Sequence, residues 1–384
     1  MPVMQHRDKL LVWASDIEED TIQQALRTAR MPFIVGDVAL MPDAHIGFGS
    51  TVGSVFATKG AIIPSAIGVD IGCGMIAVQT NLFAEDLPDN LDPLFARFEE
   101  LIPAGVGQGN LEGHDLSEIG MPLSTLSNKQ ETTAACQLGS LGSGNHFLEV
   151  CLDQNDSVWV VLHSGSRGIG NQLATKHIDR AKGLMRDFFI KLEDPALAYL
   201  VEGTTEFDCY IGDMLWAQDY ARLNRDIMMN RAVKALFKFV GIGTELDRIN
   251  CHHNFTQREN HRGKNVWVTR KGAIKADRND WGVIPGSMGT ASYIIKGLGN
   301  KASLKSCSHG AGRRMSRRKA KETLSKETLR ELMAGQTWNS ANAKGLVDEH
   351  PLAYKDIDQV MADQSDLAEI RFCLTSVLNY KGVK

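Results

Sequence analysis

Four glycine-rich clusters constrain this chain more than any other feature, because each carries a side chain able to ligate a metal or attack phosphorus. They read Gly68-Val-Asp70-Ile-Gly72-Cys73-Gly74, Gly142-Ser-Gly144-Asn145-His146, His163-Ser-Gly165-Ser-Arg167-Gly168 and Ser308-His309-Gly310-Ala311-Gly312-Arg313. Glycine has no Cβ, so the backbone can approach a ligand closely and adopt positive φ, exposing N–H groups that cradle phosphate oxygens. One such cluster is ordinarily a turn. Four that each hold a reactive residue are hard to ascribe to turns, and glycine, at 36 of 384 residues, exceeds its usual share of about 7%.

The background around these clusters is that of a globular protein. Apolar residues make up 43% and charged residues 23%, which excludes a long solvated or low-complexity chain. Lys and Arg total 42 against 46 Asp and Glu, a net charge of −4, so any polyanion has to be held by a local patch. No stretch approaches the roughly 18 apolar residues of a membrane span. The opening residues, with His6, Arg7, Asp8 and Lys9, lack the apolar core of an export signal, so a soluble cytoplasmic protein without a membrane partner is expected. Seven cysteines stand at 73, 136, 151, 209, 251, 307 and 373, with no CxxC pair. That argues against a disulfide scaffold, a zinc ribbon and a thioredoxin-type site, and fits a reducing compartment.

At about 150 residues per domain the length corresponds to two or three domains, yet no repeat, Pro-rich linker or charge block divides the chain. It is read as one domain over residues 1–384. Ser15 and Glu18 have capping-box spacing before a helix bearing Ile22, Ala25, Leu26 and Ala29 on one face and ending by Pro32. Runs rich in Val, Ile and aromatics near 33–41, 52–57, 75–79, 147–151, 158–163, 248–253 and 265–269 read as strands. Helical periodicity joins Leu173, Ile178, Ala181, Met185 and Phe188, recurs over 208–238, and links Ile357, Val360, Met361, Leu367, Ile370, Leu374 and Leu378. Segment 84–138 reads as loops with short helix. The mixture without strict alternation predicts an α+β fold with mixed sheets and surrounding helices.

Asp70 and Cys73, in one glycine turn, and His146, His163 and His253, at strand edges, supply one carboxylate, one thiol and three imidazoles. Such a set suits one or two borderline ions, manganese, zinc or iron, with the thiolate able to bridge. Each residue alone is better explained as core; together, flanked by Gly or Asn and none on an amphipathic helix face, they favour a site. A Walker A loop is absent, and Lys275-Ala-Asp277 lacks the following Gly of a lysine nucleotidyltransferase. A covalently carried nucleotide therefore needs another nucleophile, for which His309 is the candidate, with Gly310 and Gly312 leaving room for a phosphate. Positions 313–321 hold Arg313, Arg314, Arg317, Arg318, Lys319 and Lys321. Arg314, Arg317, Arg318 and Lys321 fall on one helical face, read beside His309 as a track for a nucleic-acid backbone.

These motifs resemble the RtcB family of GTP-dependent RNA ligases, of bacterial type, over nearly the whole chain. The resemblance rests on MPDAHIGFGSTVGSV at 41–55, GVDIGCGM at 68–75, LGSGNHFLEV at 141–150, LHSGSRGIGN at 162–171, CHHN at 251–254, VTRKGA at 268–273, IPGSMGTASY at 284–293, SHGAGR at 308–313 and AYKDID at 353–358. It implies a single mixed α+β unit that joins RNA 3′-phosphate or 2′,3′-cyclic phosphate ends to 5′-hydroxyl ends in RNA repair or tRNA splicing, using GTP and two manganese ions. It implies that Asp70, Cys73, His146, His163 and His253 hold the ions with Cys73 shared, and that His309 carries the guanylate. Asn145, Glu149, Ser287, Ser292, Tyr354 and Lys381 would contact the nucleotide, with Gly310, Ala311 and Gly312 lining its phosphate. Arg167, Lys271 and Arg313 would lie near RNA or phosphate, and Asp43 falls in the first motif without a defined role. The stretch 103–138 departs most from the family, and the resemblance leaves open the RNA sealed and whether a release factor or activator assists. Two other functions would use parts of this set: a dinuclear phosphodiesterase that opens cyclic phosphates, and an RNA-binding factor using the basic helix alone.

Overall fold

Met75 to Val78 and Val158 to Leu162 are apolar without alternation and buried on both faces, as central strands must be. In the computed structural model, which describes residues 5–382, they lie in the antiparallel pair Gly74–Phe83 and Ser157–Ser164 of an eight-stranded sheet. Its order is Glu245–His252, Gly74–Phe83, Ser157–Ser164, Phe147–Leu152, Ala368–Tyr380, Ser292–Gly297 and Trp281–Ile284, with Thr337–Trp338 beside Ala368–Tyr380. The sheet rolls until its ends nearly meet: Ile249 of the first strand and Val283 of the last share one apolar cluster, with Cys251 packed against it. Met75, Ala77, Phe147, Trp159, Ile249, Val283, Ile294 and Leu374 fill the enclosed face. The alternate residues Ile76, Val78, Val160 and Leu162 pack outward against Met228, Met229, Ala232 and Leu236 of the 36-residue helix Thr205–Val240.

A second sheet of six strands runs Gln5–Arg7, Leu10–Val12, Ile34–His45, Val52–Thr58, Lys264–Lys271 and Asn254–His261. Helix Glu19–Ala29 covers one face through Ile22, Ala25 and Ala29, and the other face packs on Ile274, Ile357, Val360 and Met361. The chain steps from the first sheet to the second at His253, the one residue between strands Glu245–His252 and Asn254–His261. A short pair, Ala273–Lys275 with Ser306–Ser308, delivers His309 to the same place.

The α+β class and mixed sheets are as expected, as are loops with short helix in segment 84–138, with three local corrections. Ser15 is not the first helix's cap: its N–H and hydroxyl both bond Asp363, and the helix begins at Glu19 without a side-chain cap. The C-terminal pattern is helical only over Ile357–Asp363. Ala368–Tyr380 is a 13-residue strand inside the large sheet, and Leu374, Ser376, Leu378 and Tyr380 are buried at period two. Leu367, Ile370, Leu374 and Leu378 match a 3.6 period as well, so tertiary pairing decided between two readings. Segment 84–138 holds two ten-residue helices, Asp92–Leu101 and Asn128–Gln137. The basic stretch is helical only over Arg317–Thr323, capped by Ser316, so Arg314 lies outside the helix. Among the described residues no helix is long and apolar enough to cross a membrane.

Candidate metal centre and active site

The ligand-type residues meet because their strands are neighbours. Cys73 immediately precedes strand Gly74–Phe83, His146 immediately precedes Phe147–Leu152, and His163 lies near the end of Ser157–Ser164, between the other two strands. Cys73 Sγ stands 3.4 Å from His146 Nε2 and 3.3 Å from His163 Nε2. His163 Nε2 is 3.3 Å from His253 Nε2, and Asp70 Oδ2 is 3.1 Å from His146 Nε2. Two donor groups result, Cys73–His163–His253 and Asp70–Cys73–His146, with Cys73 in both. Room for Asp70 is made by Gly165, where an added Cβ would fall 2.2 Å from the carboxylate.

The proton inventory fits cations. His163 Nδ1 bonds the Asn145 carbonyl at 3.0 Å, and burial holds the imidazole neutral by lowering its pKa well below the usual value. The proton therefore sits on Nδ1, and the bare Nε2 faces sulfur and a second imidazole. Burial likewise lowers His253, whose buried Nδ1 has no hydrogen-bond partner. Burial raises the Cys73 thiol, and the charge of Asp70 raises it further; a bound cation would reverse that balance. Burial also acts to raise Asp70, but the hydrogen bond and charge of His146 with help from Arg167 outweigh it and hold the carboxyl at about 2. His146 Nδ1 is spent on the Leu141 carbonyl at 2.9 Å, which orients the ring as second-nitrogen partners orient metal-ligating histidines.

A third group, His177, Cys209 and Asp213, is built differently. His177 Nε2 meets Asp213 Oδ2 at 2.7 Å, while Asp213 Oδ1 accepts from Ser124 N–H at 2.8 Å. Those are satisfied hydrogen bonds, shorter than the 3.1–3.4 Å donor spacings at Cys73, and they brace the irregular segment against two helices.

His309 stands at the edge of the centre, its ring 4.8 Å from that of His253. Asp43, fully buried, accepts from both the His309 backbone N–H at 3.1 Å and Nδ1 at 2.6 Å. This fixes the ring with Nε2 as the free nitrogen. Gly312, at φ +73°, lets Asp43 approach: a Cβ there would lie 2.3 Å from the Asp43 carbonyl oxygen.

The cleft, of about 280 Å³, continues from this edge to a wall of paired charges. Glu349 accepts from the Tyr354 hydroxyl at 2.7 Å, lies 3.5 Å from Lys381 Nζ and bonds Arg317. Burial opposes its ionisation, but Lys381 and Arg317 prevail and hold it at about 2. Arg313 donates to the Tyr354 hydroxyl at 3.0 Å and lies over its ring. Glu149, by contrast, is pushed up to about 7 by burial, although Asn379 donates to it at 2.5 Å.

Of the residues singled out from sequence, Asp70, Cys73, Asn145, Glu149, His163, His253, Lys271, Ser287, Ser292, His309, Gly310, Ala311, Gly312, Arg313, Tyr354 and Lys381 all line this one cleft. His146 reaches it through Cys73 and Asp70. Arg167 does not line it. It stands behind Asp70, in left-handed backbone at φ +57°, donating to Ser140 Oγ at 3.2 Å. Lys271 is buried with its ammonium donating to the carbonyls of Phe48 and Ser65, and burial lowers it to about 7. The basic track is partly spent: Arg317 and Lys321 face Asp348 and Glu349, whereas Arg318 is 89% exposed. Sequence reading missed Glu349 and Asn379 and gave Asp43 no role. Asp43's place in the motif at 41–55 was the available signal; Glu349 offered none.

Fold and cleft together define a class: an α+β protein with a thiol–imidazole centre able to hold two cations and a carboxylate-held histidine at its edge. The family described as tRNA-splicing ligase RtcB matches residues 24–122 and 114–382, the two segments meeting inside the irregular region. RNA-splicing ligase RtcB of Escherichia coli (strain K12) is 46% identical over 389 residues, covering 95% of each chain. RNA-splicing ligase RtcB of Mycobacterium tuberculosis is 31% identical over 419 residues, covering 90% of this chain and 96% of the relative. tRNA-splicing ligase RtcB of Nanoarchaeum equitans is 30% identical over 420 residues, covering 90% and 87%. The chain belongs to the RtcB family of RNA ligases.

Proposed function

We propose that this protein is a GTP- and manganese-dependent ligase, acting as one unit in the cytoplasm, that joins RNA 3′-phosphate or 2′,3′-cyclic phosphate ends to 5′-hydroxyl ends. The observation that carries the reading is His309, held by buried Asp43 and 4.8 Å from a ligand-type imidazole, in the same cleft as the nucleotide-contact positions. Asp70, Cys73 and His146 would hold one manganese ion and Cys73, His163 and His253 the other. When bound, such ions neutralise charge on phosphate oxygens as a leaving group departs.

The chain's own residues do the rest. Asp43 keeps the proton on Nδ1, so His309 Nε2 presents its lone pair to the α-phosphorus of GTP. The N–P bond forms as the bond to pyrophosphate breaks. An oxygen of the RNA 3′-phosphate then takes the guanylate, the N–P bond breaks, and the lone pair returns to His309. Attack of the 5′-hydroxyl oxygen on the activated 3′-phosphorus joins the RNA and releases GMP. Gly310, Ala311 and Gly312, which line the cleft, would hold the phosphate through backbone N–H groups, and Ser287, Ser292, Asn145, Tyr354, Glu149 and Lys381 would fix the nucleotide's place beside them.

The test supplies end-labelled RNAs, one with a 3′-phosphate and one with a 5′-hydroxyl, together with GTP and Mn²⁺. A joined product that requires GTP and vanishes in His309→Ala supports the reading. Opening of cyclic phosphate ends without joining, equally fast with and without GTP, would instead identify a dinuclear phosphodiesterase.

A further inference from the structure

The loop 46–50, at the rim of the cleft, carries Ile46 and Phe48 half exposed, at 50% and 55%. Single exposed apolar residues are commonplace, but the backbone beneath this ring is clamped on both sides. Gln24, a buried residue, donates through Nε2 to the Gly47 carbonyl at 2.6 Å and the Gly49 carbonyl at 3.0 Å, and accepts from Gly47 N–H at 3.0 Å. The carbonyl of Phe48 itself takes a hydrogen bond from the cleft-lining ammonium of Lys271. Gly49, at φ +76°, lies so close to Ser65 that a Cβ would fall 2.4 Å from its hydroxyl. A buried lysine and a buried glutamine thus hold rigid a loop whose aromatic side chain points away from any core.

Beside the ring stands a cation without a carboxylate partner among the described residues. Lys182, on helix Arg167–Asp187, places Nζ 5.2 Å from the Phe48 ring centroid. On this helix Arg180 pairs with Glu206, whereas Lys182 has no salt bridge among the described residues. A rigid exposed aromatic face next to an unpaired ammonium, one hydrogen bond from the reaction cleft, matches the chemistry by which single-stranded RNA is held: a base stacks on the ring and the adjoining phosphate meets the cation.

We propose that Phe48 is a stacking platform for an unpaired base next to the RNA end being sealed, with Lys182 receiving the neighbouring phosphate. The inference rests on the proposed ligase function and adds a positioning residue to it. The clamp explains why the platform would work: a ring fixed before RNA arrives loses little conformational freedom on binding.

The experiment pairs protein and RNA changes. RNA carrying 2-aminopurine beside its 3′-phosphate or 5′-hydroxyl end is titrated with the wild-type chain, Phe48→Ala, Phe48→Trp and Lys182→Ala. Binding is followed by anisotropy and stacking by 2-aminopurine quenching. Stacking on an aromatic side chain predicts roughly tenfold weaker binding and lost quenching in Phe48→Ala, with both restored in Phe48→Trp. In ligation, KM for RNA should rise by about the same factor with kcat little changed. Replacing the base by an abasic site in one of the two strands should erase the difference between wild type and Phe48→Ala. Lys182→Ala should reduce the salt dependence of binding. Phe83→Ala, as exposed at 48% but at the far end of strand Gly74–Phe83, is the control expected to bind RNA as the wild type does. Equal binding and quenching by Phe48→Ala, or an undiminished effect of that substitution on abasic RNA in both strands, would overturn the platform. Because binding is read without turnover, that result is distinct from failure of the ligase reading, which would appear as no GTP-dependent joining by the wild type.

Discussion

The two walls of the cleft solve opposite electrostatic problems. Around Cys73, imidazole nitrogens and a thiol sulfur crowd within 3.3–3.4 Å, with the bare Nε2 of neutral His163 at the centre, and each ring is oriented through its other nitrogen or by the strand that carries it. Around Glu349, every charge already has a partner: Arg317, Lys381 and Tyr354 converge on one buried carboxylate. The first wall waits for positive charge. The second is already paired within itself, so a ligand entering there must exchange hydrogen bonds with residues that have partners. An unsatisfied donor set binds ions tightly, whereas a satisfied network discriminates between ligands that can and cannot replace its bonds.

The largest effect is expected on the first wall. Cys73→Ala removes the donor common to both groups, so metal affinity should fall by more than about 100-fold and activity should vanish with it. Elemental analysis of purified, Mn²⁺-loaded protein checks this; retention of two ions with full ligation would break the distinction between the walls. Next comes the bridge between them. Asp43→Asn keeps the shape but allows the wrong His309 tautomer, and single-turnover transfer of guanylate should slow on the order of 10⁴-fold, by analogy with the carboxylate-to-amide change behind a general-base histidine. On the second wall, Tyr354→Phe removes a hydroxyl that bonds Glu349 and Arg313. KM for GTP should rise about tenfold with metal content unchanged, and a loss of metal in that variant would show the walls to be coupled.

The smallest effect concerns Glu149. Its native pKa of about 7 lies above the ordinary carboxylate value of 4.5, so between those limits the native state holds a proton that the unfolded chain has released. Stability contributed by this group is therefore complete below the unfolded pKa and is lost as pH rises through the native one. Thermal melts of the ligand-free protein from about pH 5 to about pH 8 should show a fall that is shallower in Glu149→Gln. Parallel curves would place the titration elsewhere.

The donor wall was legible in the sequence because its residues stand inside glycine clusters, as Asp70 and Cys73 do between Gly68 and Gly74 and His163 does two residues before Gly165. What was not legible depends on partners distant in sequence. Asp43 reaches His309 across 266 positions, and Glu349 gains its meaning only from Arg317, Tyr354 and Lys381. Strand Ala368–Tyr380 was hidden because its apolar residues satisfy two periods, and only pairing with Phe147–Leu152 and Ser292–Gly297 selects one. Arg317 looked like part of an RNA track because a helical wheel cannot show that Asp348 and Glu349 lie opposite it.

Peptide mapping by mass spectrometry after incubation with GTP and Mn²⁺ probes the join between the walls most directly. The account predicts a GMP adduct on the peptide bearing His309, absent from Asp43→Asn at early times and from His309→Ala at all times. An unmodified His309 peptide in metal-loaded wild-type protein, or an adduct on a different residue, would contradict it.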